Sequence, residues 1–272
     1  MSETIGNGAP QGDLEMIGMT DPTPAPEPAP APSPAMEDVP VRKRRMAPGE
    51  AAGTRKEDDA YDTPEVLALA CTEWVSKVIP ALTDPALGPP LILEPCAGKG
   101  PFVKAARKTW PGSKVVAVDI RPECEGPCLE AGAVRFANFD SLTLSGSTIS
   151  AADLIITNPP FKLADELARH FWAHMKDGAV LAFLLSVTFL GSKDRWEEEP
   201  SGLFKLAPLS YMVPIVPRPD FGPTSPKFEA GLFIWVAGDG DANHGALIPY
   251  DPIRWTKPKR TRAKKGENGG AP

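Results

Sequence analysis

From residue 61 onward, short apolar runs alternate with longer segments in which apolar residues recur every three to four positions. The short runs are rich in Val, Ile and Leu, which is typical of buried strands, and the longer period predicts amphipathic helices. The predicted strands are Leu91–Glu94, Val115–Ile120, Val134–Ala137, Leu154–Thr157, Ala179–Ser186, Tyr211–Val216 and Leu232–Ala237. The predicted helices cover about 64–80, 101–109, 122–131, 163–176 and 193–206.

The order of these elements predicts an α/β fold. Five apolar strands separated by helices indicate a parallel, doubly wound sheet with helices on both faces. The last two strands follow one another without a helix, so we expect them to form an antiparallel hairpin at one end of a seven-stranded sheet. Pro214 lacks an N–H group for strand pairing and therefore favours an edge position for the sixth strand.

Composition divides the 272 residues into three regions. Residues 1–60 hold 10 of the 33 prolines and few periodic apolar positions, which predicts a disordered tail that favours the polyproline II conformation. Residues 61–253 carry the alternating pattern and form the predicted folded domain. Residues 254–272 contain seven Lys and Arg against one acid and are expected to form a second, basic tail.

Charge limits the ways in which the protein can grip a polyanion. The whole chain has a net charge of −6, and outside the two tails 23 acids face 16 bases. An acidic body is not expected to hold phosphates strongly by itself, whereas the basic C-terminal tail could supply that contact. The alternative is that this tail, like the cluster Arg42–Arg45, only keeps the protein soluble.

Nothing in the sequence predicts export, a membrane or a metal. No apolar segment resembles a signal peptide or reaches the length of a membrane span, so we expect a cytoplasmic protein without membrane contact. Cys124 with Cys128, and His170 with His174, have the spacing of half a metal site, but neither has a matching second pair. The four cysteines show no disulfide pattern.

The tetrapeptide Asn158-Pro159-Pro160-Phe161 directly follows a predicted buried strand. Two successive prolines fix φ near −65° and remove two backbone donors, so the chain can neither continue as a strand nor enter a helix there. The corner combines carbonyl oxygens, an amide and an aromatic ring. A flat substrate with an exocyclic amino group needs oxygens that accept its N–H groups and a ring on which to stack. The alternative is a proline-rich corner that serves only as a turn.

A glycine-containing loop follows the first predicted strand, with the sequence Glu94-Pro95-Cys96-Ala97-Gly98-Lys99-Gly100-Pro101. The glycines allow a ligand to approach the backbone, and Pro101 suits the first turn of a helix. A dinucleotide fingerprint requires Gly or Ala where Val103 stands. Glu94 would repel a pyrophosphate, whereas S-adenosylmethionine brings a sulfonium and an ammonium and has no phosphate. The loop therefore predicts S-adenosylmethionine as the cofactor.

Polar residues also end the next two predicted strands. Asp119 lies 19 residues after Gly100, where a carboxylate can accept both hydroxyls of a ribose. Asn138-Phe139-Asp140 follows the third strand and is placed to hold the adenine ring of the cofactor.

The order of these motifs resembles the N6-adenine DNA methyltransferases with the γ motif order, especially the small forms that phages and prophages carry. The resemblance covers about residues 61–237 and includes the segment Ser186–Arg195. It implies a Rossmann-like class I methyltransferase fold that acts on adenine in DNA, either flipped out of the duplex or single-stranded. The residues that carry it are Tyr61, Asp62, Thr63, Pro64, the segment Glu94–Phe102, Asp119 and Asn158–Phe161.

The resemblance also implies roles for individual residues. Thr63 and Pro64 would line the methionine end of the cofactor, Asp119 would bind ribose, and Asn138 or Asp140 would contact the cofactor adenine. The implied cofactor-binding residues are Tyr61, Thr63, Pro64, Glu94, Pro95, Cys96, Ala97, Gly98, Gly100, Asp119, Asn138 and Asp140. The implied catalytic residues are Asn158, Pro159, Pro160 and Phe161. Phe221 would be a second ring on the target base, and Arg218 could contact phosphate.

Other acceptors use the same corner. Glutamine N5-methyltransferases of release factors and some RNA adenine methyltransferases share Asn-Pro-Pro-aromatic, although the release-factor enzymes usually carry Tyr where Phe161 stands. A non-catalytic module that docks nucleic acid through its basic tail is a further alternative. Only about 24 residues separate Ser186 from Tyr211, which leaves little room for a target-recognition domain. We therefore expect short or relaxed sequence preference, with any specificity partner unknown.

Overall fold

The computed structural model describes residues 62–197, 202–221, 228–238 and 253–256. Tyr61, the N-terminal region and residues 257–272 lie outside this part of the chain. Among the described residues, none of the helices has both the length and the apolar character needed to cross a membrane.

Eight strands form one mixed sheet in the described part of the chain, in the order β3-β2-β1-β4-β5-β7-β6-β8. Strands β1 to β5 run parallel to one another, and β7 lies antiparallel between β5 and β6. The bounds are β1 Leu91–Glu94, β2 Lys114–Asp119, β3 Arg135–Asn138, β4 Leu154–Thr157, β5 Val180–Ser186, β6 Tyr211–Val216, β7 Ala230–Val236 and β8 Ile253–Arg254. Every predicted strand is present, and the antiparallel pair stands at one end as expected.

The eighth strand was not predicted, and the edge position predicted for the strand of Pro214 is wrong. β8 pairs parallel with the last two residues of β6, Ile215 and Val216, so β8 forms the edge of the sheet instead. Pro214 lies just before this paired portion, and its missing N–H therefore costs no hydrogen bond to β8. A two-residue strand is too short to leave a periodic signal in the sequence.

Seven α-helices of the described residues cover both faces of the sheet. Their bounds are α1 Glu65–Val78, α2 Pro101–Thr109, α3 Glu125–Glu130, α4 Gly146–Ala151, α5 Ala164–Trp172, α6 Lys193–Glu197 and α7 Leu203–Leu206. The single helix predicted over 193–206 is instead two helices, α6 and α7, because Gly202 directly before α7 has a non-helical ψ of 127°. The short α4 was missed; it begins where the Ser145 hydroxyl accepts a hydrogen bond from the Thr148 N–H.

Two apolar clusters hold these layers together. One contains Leu67, Val75 and Phe102 and packs α1 and α2 against one face of the sheet. The other contains Leu167 and Phe171 of α5 and covers the opposite face. All four residues of β4 are buried, as expected for a central parallel strand. The carboxyl ends of the parallel strands therefore meet at one edge, where ligands bind in open α/β sheets.

Candidate active site

The glycine loop between β1 and α2 is held in place by its own backbone. The Ala97 N–H donates to Val118 O over 2.9 Å, and the Gly100 N–H donates to Ala97 O over 2.9 Å. The Cys128 thiol donates to Gly98 O over 3.3 Å, and the Ser141 hydroxyl donates to the Pro95 carbonyl. The loop is thus tied to β2, to α3 and to the turn after β3, which makes it a preformed cradle.

The two glycines of this loop serve different purposes. Both have positive φ, +53° at Gly98 and +77° at Gly100. A Cβ on Gly100 would lie 3.0 Å from Ala131 Cβ and 3.2 Å from Cys128 Cα, so Gly100 is required for close packing against α3. Within the described part of the chain, a Cβ on Gly98 would meet only Arg121 Nη2, at 3.6 Å. The surface above Gly98 is therefore open for a ligand apart from the guanidinium of Arg121.

Glu94, the last residue of β1, is 1% exposed. Its carboxylate accepts hydrogen bonds from the backbone N–H groups of Phe102 and Val103, in the first turn of α2, and so caps that helix. Burial raises the pKa of Glu94 well above its ordinary value, Asp119 adds to this, and the two backbone N–H groups act in the opposite direction. Oε2 has no hydrogen-bond partner within the described residues. A buried carboxylate with one unpaired oxygen fits a cationic ligand better than a phosphate.

Asp119, at the end of β2, has both carboxylate oxygens engaged. Oδ1 accepts from the backbone N–H of Arg121 over 3.0 Å and from Arg121 Nε over 2.9 Å. Oδ2 accepts from the Gly98 N–H over 2.8 Å and from Arg121 Nη2 over 3.0 Å. Burial alone would raise the pKa of Asp119, but the hydrogen bonds from Arg121 and Gly98 outweigh it and the pKa lies below its usual range.

A carboxylate offers about four acceptor positions, and Gly98 and Arg121 use all four on Asp119. The role implied for Asp119, accepting both ribose hydroxyls, therefore requires the Arg121 side chain to move. Sequence reasoning gave no role to Arg121, although a base two residues after a strand-end acid is a visible signal.

The turn after β3 separates the two polar candidates of the sequence analysis. Asn138 Nδ2 donates to Asp119 O over 3.1 Å, which places this amide beside the end of β2. Asp140 instead caps the 3₁₀ turn Ser141–Thr143, with Oδ1 accepting from the Leu142 N–H over 3.0 Å. Of the two, Asn138 is the one that the fold brings next to Asp119.

Two large apolar side chains are exposed at the same strand ends. Ile120 is 59% exposed, although it follows the largely buried strand β2, and Phe139 after β3 is 50% exposed. Both follow directly after a polar strand-end residue, Asp119 and Asn138. Exposed apolar faces at a ligand-binding edge suit an aromatic ring system. Sequence reasoning missed one signal here, which is the apolar residue Ile120 directly after the strand-end acid Asp119.

The Asn158 corner lies beside the glycine loop and the segment before α1. Thr157, the last residue of β4, donates from Oγ1 to Cys96 O over 3.4 Å. Asn158 Nδ2 donates to Thr63 Oγ1 over 3.1 Å, and Thr63 itself is buried. Three segments that are far apart in sequence, near residues 63, 96 and 158, therefore meet at one point.

Three phenylalanines, among them Phe161 of the Asn158 corner, contact one another. Phe161 packs edge-on against Phe228, with ring centroids 5.0 Å apart and planes at 84°. Phe221 lies stacked on Phe228, with centroids 5.4 Å apart and planes at 14°. Phe228 thus contacts both of the rings that sequence reasoning selected. Arg218 lies 3.4 Å from the Glu229 carboxylate, and both side chains are exposed.

The cysteines and histidines do not form a metal centre among the described residues, where no three potential ligands cluster. Burial raises the pKa of the Cys96 and Cys128 thiols to about 12 and of Cys124 to about 11, so these thiols stay protonated. His170 bonds to Leu144 O and His174 to His170 O, which accounts for both rings as structural groups.

Comparison with known proteins found similarity to methyltransferases. No protein-family model matches it. The type II methyltransferase M.CvrRI of Paramecium bursaria Chlorella virus XZ-6E is 27% identical over 124 residues, which cover 39% of this chain and 32% of that protein. The chain therefore spans about a third of the curated relative that it matches.

Among solved structures, the type IIG restriction endonuclease BpuSI superimposes with a TM-score of 0.53 at 14% identity, covering 68% of this chain and 26% of that one. A putative class I S-adenosylmethionine-dependent methyltransferase from Listeria monocytogenes gives a TM-score of 0.48 at 14% identity, covering 71% of this chain and 64% of that one.

The fold of this chain is the Rossmann-like class I methyltransferase fold, and the predicted fold class is confirmed apart from the additional strand β8. The predicted resemblance to methyltransferases is confirmed at the level of a type II methyltransferase. The predicted cofactor, S-adenosylmethionine, is confirmed at the level of the methyltransferases to which this chain is similar. Adenine N6 as the acceptor stays a prediction.

Proposed function

We propose that this chain transfers a methyl group from S-adenosylmethionine to the N6 amino group of adenine in DNA, with the base flipped out or single-stranded. The observation that carries the proposal is the position of Asn158. Its amide stands at the carboxyl end of β4, hydrogen bonded to Thr63 and next to a strand end that contacts the glycine loop. DNA as the substrate is supported by the motif order and by the similarity to a type II methyltransferase.

The cofactor side of the site has groups suited to each part of the donor. When bound, S-adenosylmethionine supplies an activated methyl group on a sulfonium. The unpaired oxygen of Glu94 offers a negative charge to the cationic end, and the open surface of Gly98 allows close approach. Ile120 and Phe139 offer apolar faces to the adenine ring, and Asp119 would accept the ribose hydroxyls once Arg121 has withdrawn.

The acceptor side positions the amine. Asn158 Oδ1 and the Pro159 carbonyl oxygen would accept the two N–H bonds of the amino group, which holds its lone pair toward the donor. These oxygens also stabilise the positive charge that develops on nitrogen. Phe161 would stack on the base, a contact that contributes about 1–3 kcal/mol in nucleic-acid complexes. Because Phe228 contacts both Phe161 and Phe221, it belongs to the same aromatic wall.

The test is to express the full chain in a host that lacks DNA methylation and to measure N6-methyladenine in its DNA by mass spectrometry. We expect N6-methyladenine with the wild-type chain and none with Asn158→Ala at equal expression. Absence of the modified base with the wild-type chain would refute the proposal.

The acceptor class is decided by incubating purified protein with radiolabelled S-adenosylmethionine and separated DNA, RNA and protein fractions. Label in DNA alone supports the proposal, whereas label in RNA or protein identifies one of the alternative acceptors. No incorporation together with no cofactor binding would indicate a non-catalytic module.

A further inference from the structure

We propose that Thr63 is a positioning residue that fixes the orientation of the Asn158 amide when the cofactor is bound. The proposal rests on the proposed catalytic role of Asn158. Its starting point is the 3.1 Å hydrogen bond between Asn158 Nδ2 and Thr63 Oγ1, which joins the segment before α1 to the corner after β4 across 95 residues of sequence.

The chemistry of an asparagine amide makes its orientation decisive. The oxygen and the NH₂ group of the amide have nearly the same size, and a rotation of about 180° exchanges them. With Oδ1 toward the substrate, Asn158 accepts an N–H bond from the target amine. With Nδ2 toward the substrate, the NH₂ group of Asn158 faces the NH₂ group of the target amine. Both groups are donors, so no hydrogen bond forms and the amine is not activated. Only one of the two orientations supports methyl transfer.

A hydroxyl group alone does not select between these orientations, because it can accept from Nδ2 or donate to Oδ1. The selection depends on where the hydroxyl proton of Thr63 goes. If that proton is donated to another acceptor, Thr63 Oγ1 can only accept, and Asn158 must present Nδ2 to it. Oδ1 is then left for the substrate, which is the arrangement in the structure.

The acceptor that fits is the carboxylate at the methionine end of the cofactor. Thr63 is 8% exposed, and within the described ranges its hydroxyl accepts from Asn158 and has no acceptor for its own proton. The segment carrying Thr63 reaches the cofactor side of the site, since the neighbouring Asp62 pairs with Lys99 of the glycine loop over 2.6 Å. Cofactor binding would therefore order the catalytic amide before the acceptor base arrives.

The test compares Thr63→Val, which keeps the shape and removes the hydroxyl, with Thr63→Ser, which keeps the hydroxyl. At saturating cofactor we expect Thr63→Val to lower kcat roughly tenfold to a hundredfold, the range expected from a misplaced catalytic group. The loss of one hydrogen bond to the cofactor carboxylate should separately weaken cofactor binding roughly 10- to 150-fold, which is why kcat is compared at saturating cofactor. Thr63→Ser should restore kcat to within about threefold. An unchanged kcat with weaker cofactor binding would overturn the proposal and leave Thr63 as a cofactor contact only.

A second readout does not depend on turnover or on the identity of the acceptor. The side-chain NH₂ signals of Asn158 are assigned in ¹⁵N spectra by their loss in Asn158→Ala. In the wild-type chain, S-adenosylhomocysteine should shift these signals and slow their exchange with solvent. In Thr63→Val the same addition should leave them unchanged, and equal changes in both proteins would overturn the proposal. If the wild-type chain fails to methylate DNA but shows this spectral coupling, the acceptor assignment fails and the positioning role stands.

Discussion

Glu94 has two possible roles: its carboxylate caps α2, and its negative charge can face a cationic cofactor. Replacing Glu94 by Gln separates them, because the variant keeps an oxygen for the α2 N–H groups and loses the charge. In the free protein the carboxyl is buried, and burial raises its pKa. Glu94 therefore stays protonated at pH values above 4.5, the ordinary pKa of its side chain. A cationic cofactor next to the unpaired Oε2 favours the ionised form. Binding therefore releases a proton, and the affinity rises with pH up to the pKa of the free protein, by at most about tenfold per pH unit.

The size of the effect follows from the contact that is lost. A hydrogen bond to a charged group contributes about 1.5–3 kcal/mol, so Glu94→Gln should weaken cofactor binding roughly 10- to 150-fold at a pH where the wild-type carboxylate is ionised. The pH dependence of folding stability has the opposite sign to that of cofactor affinity. A raised pKa in the folded state means that stability falls as pH rises above 4.5, and this loss should be absent in Glu94→Gln.

Isothermal titration calorimetry in two buffers of different ionisation heat, between pH 5.5 and 8, measures the protons released by cofactor binding. The wild-type chain should release up to about one proton more than Glu94→Gln, and the difference cancels the titration of the cofactor's own amino group. Glu123→Gln, an exposed carboxylate after β2, is the matched control and should behave like the wild type. Equal proton release in wild type and Glu94→Gln, or equal affinity, would refute the reasoning and leave Glu94 as a helix cap.

Three further predictions follow from the site and the charge distribution. Asn158→Ala should leave cofactor affinity near that of the wild type and lower kcat by about 10²–10³ or more, as for other preorganised polar groups, and equal loss of both would contradict its assignment. Arg121→Ala frees two acceptor positions on Asp119 and should tighten cofactor binding about tenfold in calorimetry; weaker binding would show that the guanidinium contacts the cofactor. Deleting residues 257–272 removes six bases and should reduce the slope of log affinity for DNA against log salt, whereas an unchanged slope would assign this segment to solubility.

Much of the fold could be predicted because the buried strands of a parallel sheet appear in the sequence as short, continuous apolar runs. β1, β4 and β6 were predicted with their observed bounds, since buried Val, Ile and Leu runs bounded by Pro, Gly or acids leave little choice. β8 and α4 were missed because two and six residues are too few for a periodic signal. Pro200, a residue that disfavours a helix interior, was a visible signal against a single helix over 193–206.

The candidate site could likewise be predicted only in part. Motifs that are contiguous in sequence, such as the glycine loop and the Asn158 corner, could be found and placed at strand ends. Contacts between distant segments could not, because nothing in a single sequence states that Thr63 meets Asn158. Phe228 was missed for the same reason, since its importance comes only from the rings on either side of it.

One feature of the sheet bears on the basic segment that follows it. Trp255 is buried and its Nε1 donates to Pro217 O over 2.7 Å, while β8 runs parallel to β6. β8 runs in the same direction as β4, so residue 256 is anchored at the carboxyl-terminal edge of the sheet, the edge that also carries the Asn158 corner. The six Lys and Arg between residues 257 and 265 follow within nine residues, which span at most roughly 32 Å, or about nine base pairs at 3.4 Å each. If these lysines and arginines hold a polynucleotide, that hold is a tethered one, and its strength is set by tether length rather than by protein concentration.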